Sequence, residues 1–155
     1  MTPIATQSQP EVETAQRLRM VFGKLSRLLR PTEAGSAAGL TPTRVSVLLN
    51  VVRNGPVRLA EVAADEGLNP TLLSRTIANL AADGLIERSS DELDRRSAWV
   101  DATPAGRALA EQMRRQRTEA VEAALGGLGA AERRLVEQAL PALEALAERL
   151  KDGRR

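Results

Sequence analysis

The sequence predicts a mainly α fold with one small β-hairpin. Apolar residues recur at steps of three and four along several stretches, which is the spacing of amphipathic helices. Residues 85–101 instead contain two strand-like segments joined by a polar loop. With 155 residues, of which 43% are hydrophobic, the chain can bury a core as one ordinary domain, or as one domain with an appended dimerisation layer.

Composition excludes several kinds of site. The chain contains no cysteine and no histidine, which excludes disulfides, thiol catalysis, imidazole acid/base chemistry and Cys/His zinc sites. It also lacks a nucleophile–base pair, a metal-ligand cluster and a glycine-rich phosphate loop. We therefore predict neither an enzyme nor a bound cofactor or metal.

Charge alone does not identify a partner. A net charge of +2 is too small to predict nucleic-acid binding by itself. Lys24 and Lys151 are the only lysines among the 22 basic residues, and the arginines that remain suit phosphates and guanine edges. Genomic base composition accounts for this arginine excess equally well.

The chain is expected to be cytoplasmic and not to enter a membrane. No stretch approaches the ~18 to 20 consecutive apolar residues of a membrane span. Residues 1–10 lack the basic start and apolar segment of a secretory signal, and with two prolines they are predicted to be a flexible tail.

Two helices are predicted before the central region. The first begins at Glu11 and stops at Pro31, and residues 32–39 form a connector. The second begins at Thr41, its N-cap, and Pro42, its first residue, and is ended by Asn54-Gly55-Pro56. The first helix has one apolar face, formed by Val12, Ala15, Leu18, Phe22, Leu25 and Leu29, and the second has another, formed by Val45, Leu48, Leu49 and Val52.

A helix-turn-helix follows. Residues 58–66 predict a short third helix closed by Gly67, and Asn69 caps a fourth helix with Pro70 at its first position. In such a motif the second helix lies in the major groove. Its buried face is predicted to contain Leu73, Ile77 and Leu80 with Leu72 beside it; the side chains that point outward, toward bases or phosphates, are Thr71, Ser74, Arg75 and Asn79. The alternative for this outer face is an ordinary solvated surface.

The predicted hairpin is typical of a wing. Residues 85–88 and 97–101 form its strands, and the loop at residues 89–96 contains three acids and two arginines. Because Asp94 lies two residues before Arg96, we expect its carboxylate to orient that guanidinium for a minor groove.

These segments together resemble a known family. After the helix-turn-helix come Asp83-Gly84-Leu85-Ile86-Glu87-Arg88, Asp94-Arg95-Arg96 and Thr103-Pro104-Ala105-Gly106. This order and spacing resembles the MarR family of winged-helix transcription regulators, over roughly residues 12–150. The resemblance implies a symmetric homodimer that binds palindromic operators in double-stranded DNA, usually as a repressor relieved by a small anionic or phenolic ligand.

The resemblance also implies residue roles. The expected DNA contacts are Pro70, Thr71, Ser74 and Arg75 in the recognition helix, supplemented by Asn79, and Asp94, Arg95 and Arg96 in the wing. Arg96 would enter the minor groove, braced by Asp94. The chain departs from the family in two respects: Ala102 replaces a leucine, so a less well packed wing root is expected, and the cysteine-based oxidant-sensing branch is excluded.

Two long helices are predicted after the wing. Thr103 caps the fifth helix, Pro104 begins it and Gly126-Gly127 ends it. For its cluster of Arg114, Arg115 and Arg117 a solvated face is favoured over phosphate contacts. The sixth helix, residues 130–151, has an apolar face formed by Leu135, Ala139, Leu143, Leu146 and Leu150, and Pro141 is predicted to kink or break it after Glu137.

The predicted domains follow from these elements. Residues 40–103 form a winged helix-turn-helix DNA-binding domain, and residues 11–35 and 104–155 form a helical dimerisation region. The apolar faces of the first and last helices exceed what a compact DNA-binding lobe can cover, which predicts a homodimer.

The resemblance to the MarR family implies an effector pocket between the dimer helices and the DNA-binding lobe, where the first, second and fifth helices meet. Arg44 is a candidate anchor because a cation in the first turn of a helix opposes the macrodipole, although a solvated side chain is favoured. Phe22 could line the same region or belong to the core. The predicted function is a sequence-specific, ligand-responsive DNA-binding regulator; the alternative is a winged-helix module that binds protein. Arg75 and Arg96 favour DNA.

Overall fold

The computed structural model describes residues 9–90 and 98–153. Within these ranges the chain is mainly helical with a small antiparallel sheet, which confirms the predicted fold class. None of the described helices is long and apolar enough to cross a bilayer. In chain order the elements are α1 Gln9–Leu29, α2 Glu33–Ala37, α3 Pro42–Asn54, β1 Val57–Arg58, α4 Leu59–Glu66, α5 Pro70–Ala82, β2 Ile86–Ser90, β3 Ala98–Ala102, α6 Pro104–Gly126 and α7 Ala130–Asp152.

The chain divides into two compact units, Met1–Arg117 and Thr118–Arg155. The first unit contains the core, to which α3, α4, α5, the sheet and α6 contribute; its largest fully buried side chains are Leu48, Leu73, Ile77, Leu80 and Met113. The predicted buried face of α5 is confirmed except at Leu72, which is exposed. Leu72 is offset by about 100° from Leu73 around the helix and falls outside the apolar face.

The sheet has the strand order β1-β3-β2. Val57 pairs with Val100, and Ile86 pairs with Ala102, so these four side chains form the buried face of the sheet. The sequence did not predict β1, because two residues are too few to show alternation. Arg58, predicted to begin the helix, lies in this strand instead, with its guanidinium carbon 5.1 Å from the Trp99 ring centroid.

The predicted connector at residues 32–39 contains the short helix α2. Thr32 begins it, since its hydroxyl oxygen accepts a hydrogen bond from the Gly35 amide at 3.1 Å. The Ala34 amide donates to the Gln116 side-chain oxygen at 3.0 Å, which fixes α2 against α6. Five residues are too short for helical periodicity to be recognised in a sequence.

The second unit consists of the end of α6, a tight turn and α7. The Arg133 side chain donates to the carbonyls of Leu125 at 3.2 Å and of Gly126 and Leu128 at 3.4 Å, which satisfies the C-terminal end of α6. Helix α7 continues through Pro141, so a break is wrong, while the alternative of a kink stays a prediction. Proline removes one hydrogen bond and crowds the carbonyl four positions earlier, but the 23-residue helix has turns on both sides of it.

Candidate DNA interface and effector cavity

The start of α5 is fixed by the turn that precedes it. Helix α4 ends at Gly67, whose φ of 63° is left-handed, and the Leu68 amide donates to the Ala63 carbonyl at 3.0 Å. The Asn69 side chain then accepts from the Leu72 amide at 2.8 Å and caps α5. The predicted cap residues Gly67 and Asn69 are therefore confirmed, and they determine the direction in which α5 leaves the turn.

Helix α5 exposes a polar face and buries the opposite one. Leu73, Ile77 and Leu80 are buried. The α5 residues that are predicted to contact DNA are all exposed: Pro70, Thr71, Ser74, Arg75 and Asn79. This arrangement presents two hydroxyls, an amide and a guanidinium on one helix face, which are the groups that bind base edges and phosphates.

The end of α5 is equally well defined. Gly84 adopts φ 70°, its amide donates to the Ala81 carbonyl at 2.9 Å, and the Leu85 amide donates to the Leu80 carbonyl at 2.9 Å. These bonds form a Schellman motif, in which the buried Leu85 packs beside the helix end. The sequence Asp83-Gly84-Leu85 thus stops the helix and directs the chain into β2.

The Thr-Pro-Ala-Gly segment joins this helix end to α6. The Thr103 hydroxyl donates to the Gly84 carbonyl at 2.6 Å and accepts from the Gly106 amide at 3.1 Å, which also confirms Thr103 as the cap of α6. A Cβ on Gly106 would lie 2.0 Å from the Leu85 carbonyl oxygen, so only glycine permits this approach. The wing root is therefore held by backbone contacts.

The wing is described only up to its tip. Strands β2 and β3 pair as far as Ser90 and Ala98. The predicted contacts Asp94, Arg95 and Arg96 lie outside the described residues, and their roles remain predictions. At the other end of β3, Ala102 is buried opposite Ile86, and the looser packing expected at the wing root stays a prediction.

A cavity of about 570 Å³ lies within the first unit, where α1, α3 and α6 meet. Both apolar and polar side chains line it. Its lining residues are Ser26, Leu29, Arg30, Pro42, Thr43, Val45, Ser46, Leu49, Glu66, Leu68 and Arg117. The location agrees with the predicted effector pocket, but Phe22 and Arg44 are not among the lining residues.

Arg117 is an incompletely bonded cation on this cavity. Its Nη2 donates to the Arg30 carbonyl at 3.5 Å, whereas its buried Nε has no hydrogen-bond partner. Burial lowers the pKa of Arg117 below its ordinary value, because desolvation disfavours the charged guanidinium. The predicted solvated cluster is therefore divided: Arg114 is exposed and 3.3 Å from the Glu111 carboxylate, while Arg117 lines the cavity. The spacing of arginines along α6 did not predict this difference, because the cavity that Arg117 lines is formed with residues of α1 and α3.

A hydrogen-bond network connects the cavity to the helix-turn-helix. Glu66 is the last residue of α4, and its carboxylate accepts from the Ser46 hydroxyl and, at 2.9 Å, from the Asn50 amide. Asn50 is only 1% exposed and also donates to Asp65 at 3.3 Å. Glu66 lines the cavity and directly precedes the turn into α5. The same carboxylate is therefore part of the cavity lining and close in sequence to the start of the recognition helix.

The structure gives Arg44 and Phe22 different surroundings from those expected. Arg44 forms an ion pair with Asp83 and donates to the Gly39 carbonyl at 3.3 Å, so the favoured expectation of a solvated side chain is wrong. Sequence separation hid this pair, since Asp83 is 39 residues away. Phe22 is 40% exposed on α1 and does not belong to the core.

Comparison with known proteins agrees with this geometry. A MarR family model matches residues 38–97, which extend from α2 into the wing. The uncharacterized HTH-type transcriptional regulator Mb0904 of Mycobacterium bovis is 28% identical over 138 residues, covering 89% of this chain and 95% of the relative. Over residues 38–97, which contain the helix-turn-helix, the chain is similar to the MarR family.

Several solved structures share the fold of this chain. RV1404 from Mycobacterium tuberculosis superposes with a TM-score of 0.76 at 20% identity, covering 92% of this chain and 97% of the other. FabT of Streptococcus pneumoniae, solved in complex with DNA, gives 0.65 at 20% identity, with coverages of 88% and 99%. NadR in complex with 4-hydroxyphenylacetate gives 0.59 at 20% identity, with coverages of 92% and 97%. These likenesses show the shared fold, and the matched family and the curated relatives are transcriptional regulators, a class of protein that is not enzymatic.

Proposed function

We propose that this regulator is a ligand-responsive repressor that binds an inverted-repeat operator as a homodimer. The observation that carries the proposal is the exposed polar face of α5, which both ends of the helix fix relative to the core. Thr71, Ser74 and Arg75 are assigned to base or phosphate contacts. Repression follows from operator occupancy near a promoter, where a bound dimer competes with polymerase.

The wing is assigned to the flanking minor groove. The strands that carry its tip are paired as far as Ser90 and Ala98. Arg96, oriented by Asp94, would insert into the groove, and Arg95 would bind a phosphate.

Exposed apolar side chains support the homodimer. Helix α1 buries no residue, and Phe22, Leu25 and Leu28 remain exposed on it. Helix α7 exposes Leu135, with 65% of its surface accessible, together with Leu150. A second copy of the same chain would cover both faces, and a two-fold axis would place two α5 helices in successive major grooves, about 34 to 36 Å apart.

The homodimer has a direct test. Deleting residues 129–155 removes α7 and is expected to give a monomer with weak operator binding. Light scattering measures the mass of the truncated chain, and fluorescence anisotropy measures its DNA affinity. A truncated chain that remains dimeric and binds DNA tightly would contradict the assignment of α7 to the interface.

The cavity is assigned to a small effector that contains an anionic or phenolic group. Its volume of about 570 Å³ suits a small molecule. Leu29, Val45 and Leu49 supply an apolar wall for a ring, and the unpartnered Nε of Arg117 supplies a donor for a carboxylate. An anion there would also compensate the desolvated guanidinium.

The ligand response is assigned to Glu66. A ligand hydroxyl that binds this carboxylate competes with Ser46 and Asn50, which now hold it. Because Glu66 precedes the turn into α5, a change in these bonds alters the direction of α5. A ligand of this kind therefore shifts the regulator toward a state with lower operator affinity.

The effector site can be tested with defined probes. Titration calorimetry compares benzoate and 4-hydroxyphenylacetate with uncharged benzyl alcohol, using the wild-type protein and Arg117→Gln. We expect Arg117→Gln to weaken binding of the two anions by about tenfold, the range of a lost charge-assisted hydrogen bond. Its DNA affinity without ligand is expected to be unchanged. Equal anion binding by both proteins would contradict the assignment.

The DNA contacts can be tested by selection. The protein is used to select its preferred duplex from a random pool, and anisotropy at several salt concentrations then compares wild type with Arg75→Ala. The matched control is Arg115→Ala, which removes another exposed arginine. We expect Arg75→Ala alone to weaken binding and to relax sequence preference by about 1 to 3 kcal/mol if it contacts a base. Unchanged binding would contradict the proposed interface.

A further inference from the structure

The Arg44 side chain joins three segments of the first unit. It begins in the first turn of α3, and its Nη1 donates at 3.3 Å to the carbonyl of Gly39, two residues after the end of α2. Its Nη2 donates to the carboxylate of Asp83, the C-cap of α5. The Arg44 side chain is only 17% exposed, whereas that of Asp83 is 46% exposed.

The charges explain why an arginine occupies this position. A cation in the first turn of α3 opposes the dipole of its own helix. The guanidinium, however, lies at the far end of a long side chain, beside the C-terminal ends of α2 and α5, where positive charge is stabilising. The backbone of Arg44 therefore lies where a positive charge is unfavourable for α3, while its guanidinium lies where a positive charge stabilises the ends of α2 and α5.

Two tethers hold the C-terminal end of α5. Arg44 binds Asp83 from α3, and the Thr103 hydroxyl binds the Gly84 carbonyl at 2.6 Å from the β3–α6 junction. The 13-residue helix is about 20 Å long, so a tilt of about 5° moves one end by about 2 Å. A displacement of that size exceeds what side chains tolerate when they form hydrogen bonds with base edges.

We propose that Arg44 is a positioning residue for DNA recognition, which acts through Asp83 to fix the tilt of the recognition helix. The proposal rests on the proposed contact of the α5 face with DNA. Arg44 itself does not touch DNA in this account, because both of its terminal nitrogens are bonded within the protein. Its loss is therefore expected to reduce discrimination between sequences and to leave phosphate contacts intact.

The test compares sequence discrimination in four full-length variants: Arg44→Ala, Asp83→Ala, the double variant and the control Glu111→Gln, which removes an exposed ion-pair carboxylate on α6. Anisotropy measures affinity for the selected duplex and for a scrambled duplex of the same composition, at several salt concentrations and well below each variant's melting temperature. The half-exposed Asp83 can be truncated without opening the core, so Asp83→Ala carries the test even if Arg44→Ala fails to fold.

We expect each single variant to lower the ratio of the two affinities by about tenfold. This factor lies within the range of coupling energies between side chains that contact each other within a protein. Affinity for the scrambled duplex, the salt dependence and the values for Glu111→Gln are expected to match the wild type. The double variant is expected to be no worse than either single variant, since Arg44 acts through Asp83. A role in stability alone would lower the melting temperature and leave the ratio unchanged.

Two results would overturn the proposal. An unchanged ratio in Asp83→Ala excludes positioning through this pair. A weaker salt dependence in Arg44→Ala, with Asp83→Ala unaffected, identifies Arg44 as a phosphate contact instead. Arg75→Ala, measured in parallel, separates this inference from the proposed interface: normal discrimination in Arg75→Ala contradicts the assignment of Arg75, while a reduced ratio in Asp83→Ala still supports positioning.

Discussion

Helices α5 and α7 differ in how much apolar surface one chain can bury. Leu73, Ile77 and Leu80 of α5 are buried, and the ends of the helix are bonded to the preceding turn, to α3 and to the wing root. No described side chain of α7 is buried, although its length of 23 residues exceeds that of α5. The shorter helix therefore buries its apolar face within one chain, whereas apolar side chains of the longer one, such as Leu135 and Leu150, stay exposed.

This difference matches the two tasks that we assign. A helix that recognises bases needs a fixed position, which core contacts and hydrogen bonds provide. A helix that joins two chains needs an apolar face that its own chain leaves uncovered. The following pairs of substitutions place equivalent changes in the two units.

The largest difference is expected for leucine truncation. Leu80→Ala in α5 empties a fully buried site and should lower the free energy of unfolding by about 3 to 4 kcal/mol. Leu135→Ala in α7 should change the unfolding of dilute monomer by less than about 0.5 kcal/mol, since most of this side chain is exposed. It should instead raise the dimer dissociation constant by about tenfold.

Urea denaturation and analytical ultracentrifugation measure these two quantities. If Leu135→Ala destabilised the dilute monomer as much as Leu80→Ala does, α7 would be packed within its own chain, and the comparison would fail.

A second pair concerns glycines within α6. Gly106→Ala would place a methyl group against the Leu85 carbonyl and should cost about 3 kcal/mol, because backbone must move to accommodate it. Gly126→Ala meets no atom within 4 Å and should stabilise the helix by about 0.5 to 1 kcal/mol. Thermal melts of both variants check the opposite signs, and destabilisation by both would show that close packing is not confined to the wing root.

The smallest difference is expected for capping side chains. Thr103→Val removes the hydroxyl that bonds Gly84 and Gly106 and should cost about 1 to 2 kcal/mol. Arg133→Ala removes bonds to the exposed carbonyls at the end of α6, which water can replace, and should cost about 0.5 kcal/mol. Equal losses in chemical denaturation would mean that the two helix ends are equally solvated.

Local rules predicted most of the fold. Proline and cap residues set the starts of α3, α5 and α6, and the left-handed glycines at positions 67 and 84 set the ends of α4 and α5. The exposed face of α5 also followed from periodicity. The five-residue helix α2 and the two-residue strand β1 were missed because neither is long enough for its periodicity to repeat.

Contacts between distant segments could not be predicted. The Arg44–Asp83 pair and the approach of Arg117 to Arg30 join residues that are 39 and 87 positions apart. Only the unfavourable position of Arg44 on its own helix gave a signal, and that signal did not identify the partner. The continuity of α7 through Pro141 was not predicted, because the helix-breaking effect of a single proline does not account for the helical turns that flank it on both sides.

The central claim is that α5 recognises DNA as one of a symmetric pair. Sedimentation of the protein with its selected duplex, combined with hydroxyl-radical footprinting, measures both parts of it. We predict two chains per duplex and two protected regions one helical turn apart, about 34 to 36 Å, both lost in Arg75→Ala. One chain per duplex with a single protected region, or a footprint unchanged in Arg75→Ala, would contradict the claim.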